Sequence, residues 1–455
     1  MVRLRHRDSW FGSLCILRVY RLLQGDLMAG LCSPRMARVS PREMAVCRRV
    51  ALTGLAALLC CSLVQADNWP MWRGPSGDGR SNETNLPVKW SATENITWRV
   101  SIPYAGHSSP IVWDKTIFVT GVDEEREQRN LLAIDRQSGR VLWERVVLEA
   151  PLERVHKLNT RSSSTPATDG ERVFVSFLDQ ESMCIAAYDF EGHELWKVRP
   201  GPFKSVHGYC SSPVVFENLL IVNGDHDGDA YIVALDRVTG ATVWKTPREN
   251  RTRSYCTPII RDIGGRTQLL LSGSKCVASL DPRTGEQHWI IDGPTEQFVA
   301  SLVLNEGLIF LTGGFPDKHI MAIDPTGTGN VTDTHVRWHV KRNGVSYVPS
   351  PVACGNYFLV TSDGGIATSF DASSGEVVWQ ERLGGHYSTS LTSAHGLVYF
   401  LEDDGTTKVV RPGPEFELIS ENPLNEECYA SPALSDGQIF IRGVEHLYCI
   451  GQRTH

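Results

Sequence analysis

Short apolar runs alternate along this chain with polar turn clusters, and the runs carry the two-residue period of β-strands rather than a helical one. Leu131 to Ile134, Tyr231 to Leu235 and Cys276 to Leu280 each end at an Asp, and a Gly follows closely. After the Gly, an alternating stretch ends in Trp. Gly139 leads to Trp143, Gly192 to Trp196, Gly240 to Trp244, Gly285 to Trp289 and Gly375 to Trp379. Asp135, Asp236, Asp281 and Asp371 open units of the form Asp-x-x-[Ser/Thr]-Gly-x-x-x-Trp, and the unit opened by Asp189 is one residue shorter. Asp and Ser/Thr side chains bond their own backbone in turns, and Gly supplies the positive φ of a bulged hairpin. Each unit is therefore strand, tight turn, strand. A second hairpin precedes it, as in Ser212 to Val215, a turn at Glu217-Asn218, then Leu219 to Val222. The repeat is four short antiparallel strands.

Eight copies of the first strand are traceable. They open at Ser108-Ser109-Pro110, Ser164-Thr165-Pro166, Ser211-Ser212-Pro213, Cys256-Thr257-Pro258, Val299-Ala300-Ser301, Pro349-Ser350-Pro351, Ser388-Thr389-Ser390 and Ala430-Ser431-Pro432. The eighth copy runs out near Cys449 after three strands, while Ile96 to Val100 is a lone Trp strand ahead of the first complete unit. A ring of sheets closed by that N-terminal strand explains both orphans and removes sheet edges. The pattern predicts an all-β, eight-bladed β-propeller over residues 96–452, at about 48 residues per blade.

These repeats resemble the tryptophan-docking repeats of the pyrroloquinoline-quinone (PQQ) propeller superfamily, and the resemblance covers nearly all of residues 96–450. That superfamily holds quinone-using dehydrogenases and cofactor-free scaffolds alike. The overall look is that of the cofactor-free exported bacterial propellers, among them the propeller subunit of the outer-membrane barrel-assembly machinery. The extended lead-in over 67–95, with Asn68-Trp69-Pro70-Met71-Trp72-Arg73-Gly74-Pro75 and Gly77-Asp78-Gly79, resembles that of secreted bacterial proteins of this type.

The rest of the chain bears on location. Residues 44–66 read as a signal peptide: Arg48-Arg49, an apolar stretch from Val50 to Val64, and a small-residue cleavage site ending at Ala66. The stretch is too short and wrongly flanked for a transmembrane helix, and Leu59 before Cys60 argues against a lipid anchor. Residues 1–43 carry no fold pattern and read as an unstructured leader or a start-site artefact. Ten Arg and three acids lie before Asp67, so the remainder carries −14 of a chain total of −7. That bulk charge excludes nucleic acid as a partner and leaves an exported, monomeric protein, periplasmic or extracellular. Seven cysteines follow Ala66, an odd number without a C-x-x-C, which is neither a disulfide framework nor a zinc site. Cys210 and Cys256 hold matching places in neighbouring repeats, packed as small apolar residues or, in the alternative, bridged.

The remaining question is chemistry. One Trp per repeat on the last strand is a blade-junction residue, which assigns Trp98, Trp143, Trp196, Trp244, Trp289, Trp338 and Trp379 to structure. The seventh unit lacks its Trp, with Phe416 or Leu418 standing in, and the fifth carries an insert from Pro325 to Thr334. Asp225-His226-Asp227-Gly228-Asp229 has the look of a calcium loop but lacks the Gly an EF-hand needs at its sixth place; a polar hairpin is the simpler expectation, and no metal site is assigned. Quinone dehydrogenases of the superfamily use adjacent cysteines, which are missing after Ala66, and inserted loops, whereas the loops here read as tight.

One set stands out. Residues just before each first strand ring the channel mouth in a propeller, and here they include His107, Arg161, His207, Tyr209, Arg253, Tyr255, Tyr347, His386, Tyr387 and Tyr429. Tyr recurs at five of the eight positions and His or Arg at five. Such residues seal blades, but they also combine apolar area with a polar tip, as binding sites do. The expectation is a binding or assembly scaffold that takes a protein or small polar ligand at the mouth, with no cofactor and no catalytic residues. The alternative is a PQQ-dependent alcohol or sugar dehydrogenase, with calcium.

Overall fold

The computed structural model describes residues 68–341 and 345–453, and every regular element in them is a β-strand. The expected leader, signal peptide and cleavage point lie outside the described residues. Eight sheets, each built on four antiparallel strands, succeed one another along the chain. Blade 1 runs from Ile111–Trp113 to Val141–Glu149, blade 2 from Ala167–Thr168 to Glu194–Val198 and blade 3 from Val214–Phe216 to Thr242–Pro247. Blade 4 runs from Ile259–Ile263 to Gln287–Asp292, blade 5 from Val303–Asn305 to Val336–Lys341 and blade 6 from Val352–Cys354 to Val377–Arg382. Blade 7 runs from Thr392–Ala394 to Glu417–Pro423, and blade 8 comprises Ala433–Ser435, Gln438–Arg442, His446–Ile450 and the N-terminal strand Ile96–Ser101. That strand pairs antiparallel with His446–Ile450, Trp98 opposite Cys449, so the ring is an eight-bladed β-propeller closed as the two orphan strands predict.

The Gly–Trp spacing encodes a contact between neighbouring blades. Each indole N–H donates to a turn carbonyl of the next blade: Trp98 to Arg136 (2.8 Å), Trp143 to Phe190 (2.6 Å), Trp196 to Arg237 (3.1 Å), Trp244 to Pro282 (3.0 Å), Trp338 to Ala372 (3.0 Å) and Trp379 to Gly413 (3.2 Å). In all but the last of these turns a Gly lies under the ring: Gly139, Gly192, Gly240, Gly285 and Gly375. Gly285 has φ +75°, and a Cβ there would meet the Trp244 ring at 2.6 Å, so the position needs Gly for its backbone and for the close approach. Trp289 is fully buried because the insert after it folds back, Pro325 accepting its N–H at 3.0 Å and Gly329–Asn330 adding a short parallel strand to blade 4.

Blade 7 departs from expectation. Its register places Ser420, opposite Val409, where Trp244 lies opposite Ala234 in blade 3. Leu418 is exposed, and Phe416 packs on Trp379 of blade 6, so neither stands in. The lead-in fills the gap: Trp90 is buried among residues of blades 7 and 8, stacks on Tyr399, and takes a backbone bond from its own N to Asn422 Oδ1 at 2.9 Å.

A second ring closes the toroid from inside. The backbone N of Ser109 bonds the Thr165 hydroxyl, and the pattern continues through Ser212, Thr257, Ser301, Ser350, Ser390 and Ser431, whose N returns to Ser109 Oγ, each step between 2.9 and 3.0 Å. Every first strand therefore opens on Ser or Thr because its oxygen satisfies a backbone N–H of the preceding blade that would otherwise be buried without a partner.

Candidate functional site

The lead-in gives the channel a floor. Trp69 pairs with Val112 of blade 1, the Pro70 carbonyl accepts from Thr168 of blade 2, and Arg261 of blade 4 donates to Asp78 at 2.9 Å. The buried Arg73 side chain donates to the carbonyls of Pro351 and Leu391, in blades 6 and 7, and Glu83 accepts from Gly437 of blade 8 at 2.9 Å. Crossing from blade to blade, this segment sets Trp72 against a cavity of about 670 Å³ whose wall is the inner ring and whose rim is the row of residues before each first strand.

Of the residues expected at the mouth, His107, His207, Arg253, Tyr255, Tyr347 and Tyr429 line this cavity together. The other four do not. Tyr209 is buried against Phe203, their rings perpendicular and 5.1 Å apart. Tyr387 is buried in the core between blades 6 and 7. Arg161 reaches outward to Glu124 at 2.7 Å, and His386 is exposed and held by Asp403 at 2.6 Å. Tyr at a mouth position thus seals a blade junction in two places and faces the channel in three.

The cavity also recruits residues absent from the expected set. The linkers are not all tight. Residues 150–166 and 199–213 are long, and Asn159 ties them together by donating to the carbonyls of His207 (3.0 Å) and Tyr209 (3.2 Å). They bring His156, Lys157, Leu158 and Val206 to the rim, with Phe315 from blade 5. Leu158, Val206 and Phe315 are 47%, 65% and 51% exposed, an apolar lip of the kind that marks an interaction site when contiguous. The signal available in the sequence was the excess length of these two linkers over the others.

The mouth is polar inside its lip. The Tyr255 hydroxyl lies 2.7 Å from both His207 Nδ1 and Ser205 Oγ, and the His156 ring meets the His207 ring edge-on with centroids 5.2 Å apart. Burial, the Arg253 guanidinium and His156 hold the His207 imidazole below its ordinary pKa. His107, 4.8 Å from the Tyr429 ring, is pulled down to about 4, first by burial and then by the Arg442 guanidinium. Neutral His107 is therefore the form the fold favours. Its contribution is fully present above about pH 6.5 and is lost as the pH falls towards 4. Between pH 7 and pH 4.5, about 2 kcal/mol of the acid destabilisation should come from this residue. Denaturant titrations at the two pH values should show His107→Gln reducing the difference by that amount.

The candidate calcium loop is accounted for by arginine. Asp225 pairs with Arg248 (2.9 Å), Asp227 with Arg253 (2.8 Å) and Asp229 with Arg251 (3.3 Å), so the hairpin carboxylates lie against cations. None of the residues lining the cavity is Asp or Glu. Calcium is held by six to eight oxygens, carboxylates prominent among them, so this lining does not fit a quinone held with calcium. Cys210 lines the cavity and Cys256 is buried beside its wall; both are free thiols with pKa raised by burial.

Fold and repeat together define a PQQ-like β-propeller. A family model described as outer membrane protein assembly factor BamB matches residues 81–181, 130–314, 287–385 and 316–411, which together run over most of the chain, and the chain belongs to that family. Among solved structures, BamB from Moraxella catarrhalis is 13% identical, with 78% of this chain and 99% of that one covered at a TM-score of 0.54. The quinohemoprotein alcohol dehydrogenase from Comamonas testosteroni is 14% identical, covering 88% and 83% at 0.49. That of Pseudomonas putida HK5, ADHIIG, is 13% identical, covering 86% and 82%, also at 0.49. At these identities the likeness is one of fold. No curated protein matches the sequence at a significant level. No helix among the described residues is long and apolar enough to cross a membrane.

Proposed function

We propose that this chain is an exported, non-enzymatic scaffold that docks a partner at the channel mouth. The observation that carries the reading is the shape and lining of the cavity: closed below by Trp72, walled by hydroxyls, rimmed by His, Tyr and Arg, and lipped by exposed Leu158, Val206 and Phe315. Membership of the outer membrane protein assembly factor BamB family and the structural likeness to BamB, at a TM-score of 0.54, support it. The lining offers hydrogen-bonding and apolar surface and no carboxylate that could hold a calcium ion.

His207→Ala combined with Tyr255→Phe is the direct test. Tyr255 is nearly buried, so keeping its ring preserves packing while the hydroxyl and the imidazole are lost. The double variant should lose its partner in co-purification from the native host, and its melting temperature should stay within about 4 °C, the shift that a loss of about 1–2 kcal/mol gives in a domain of this size. Partner binding that survives the change would refute the mouth as the docking site. Incubation with PQQ and calcium should leave no bound quinone absorbance after desalting; retained quinone with turnover of an alcohol or sugar would replace the scaffold reading with a dehydrogenase.

A further inference from the structure

We propose that the mouth recognises its partner through an extended peptide segment that carries a carboxylate side chain between large apolar residues. This rests on the docking reading above and names the chemistry of what docks.

Three observations converge. The first is charge. The portion of the chain after Ala66 carries −14, yet the cavity lining contains no carboxylate, while Lys157 and Arg253 face it. Four carboxylates beside the mouth are engaged: Asp227 by Arg253, Asp403 by His386, Asp363 by Lys318 and the backbone N of Tyr347 and Val348, and Glu427 by the Tyr429 hydroxyl. Lys157, by contrast, has no carboxylate partner among the described residues. An ammonium without a carboxylate partner, at the opening of a cavity in an acidic body, attracts and orients anionic groups.

The second is an excess of donors. Ser109, Thr257, Ser350, Ser390 and Ser431 line the cavity, and each hydroxyl oxygen already accepts a backbone N–H of the inner ring. Their own protons have no acceptor supplied by the described residues. A hydroxyl both donates and accepts, and with one lone pair of each oxygen engaged in the ring the wall still offers a row of O–H donors, which a carboxylate, an acceptor only, can use.

The third is the lip. Leu158, Val206 and Phe315 stand at 47%, 65% and 51% exposure around the opening. A small anion seated among the hydroxyls would leave all three in water. An extended chain that sends one acidic side chain inward covers them with its flanking apolar residues, and burying each such side chain contributes roughly 1.5–3 kcal/mol. This decides for a peptide over a free anion.

Fluorescence anisotropy of the full chain with a labelled, capped peptide tests it. The probe holds one glutamate between phenylalanine and leucine in a glycine-serine frame; its counterparts carry glutamine or lysine in that place, and glutarate is the small-anion competitor. The glutamate peptide should bind at least tenfold more tightly than the glutamine form, and the lysine form should not bind. Lys157→Glu should weaken the glutamate peptide at least tenfold with an unchanged melting temperature, because Lys157 is an exposed residue. Equal binding of the three peptides overturns the proposal, as does displacement of the peptide by glutarate at equal concentration. If no peptide binds while His207→Ala with Tyr255→Phe still loses the native partner, the peptide inference fails and the scaffold reading stands; if the double variant keeps its partner, the scaffold reading itself fails.

Discussion

Trp244→Ala should destabilise the propeller by about 3–5 kcal/mol, the range of large-to-small changes in a packed core. The ring lies between blades 3 and 4, in one cluster with Ile221, Ala234, Leu269, Leu271 and Leu280. It covers Gly285 of the next blade, and its N–H donates to the Pro282 carbonyl at 3.0 Å. Removing it opens a cavity at the junction and leaves that carbonyl without its donor. Trp244→Phe keeps most of the apolar area and loses the hydrogen bond, so it should cost less, about 1–2 kcal/mol. Equilibrium denaturation of the two variants gives the comparison. An unchanged melting temperature for Trp244→Ala would mean that the junction does not depend on the ring.

Asp225→Ala should be as costly, about 3–5 kcal/mol. Both members of its pair with Arg248 are buried, and the guanidinium also contacts the Gly273 carbonyl and Cys276 Sγ, so it is fixed in place. Loss of the carboxylate leaves a buried cation whose solvation is not replaced. Replacing both members, Asp225→Leu with Arg248→Met, should recover most of the loss, since apolar residues of similar volume often match a buried ion pair. A double variant no more stable than Asp225→Ala alone would show that the pair acts through its hydrogen bonds rather than its charges.

Much of the fold was legible because the repeat is itself a contact. Gly and Trp recur at fixed spacing since each Gly receives the Trp of the blade before it, and the two orphan strands announced how the ring closes. The inner ring was visible as a run of Ser and Thr at the start of each first strand, although its bonds span neighbouring repeats and no single repeat reveals them. Blade 7 was misread because its missing Trp is replaced by Trp90, which belongs to the lead-in and arrives from a remote part of the sequence. Asp225 and its neighbours looked like metal ligands because Arg248, Arg251 and Arg253, which engage them, follow two strands later.

The site was legible in part for a related reason. Position in the repeat fixes where a residue begins, but the following linker decides which way its side chain turns. Tyr209 and Tyr255 hold matching places, yet the first turns into the junction beside Phe203 and the second faces the channel beside His207. Trp72, His156, Leu158 and Val206 come from segments outside the repeat, so no periodicity pointed to them.

On the docking proposal, the mouth and not the outer edge of the blades meets the partner. A photo-crosslinking amino acid placed in turn at Leu158, Val206 and Phe315, and for comparison at the exposed rim residues Leu195 and Val243, would test it in the native host. One partner should be crosslinked from the three mouth positions and lost when His207→Ala and Tyr255→Phe are added. Crosslinks from Leu195 and Val243 alone, or mouth crosslinks that survive the double change, would contradict it.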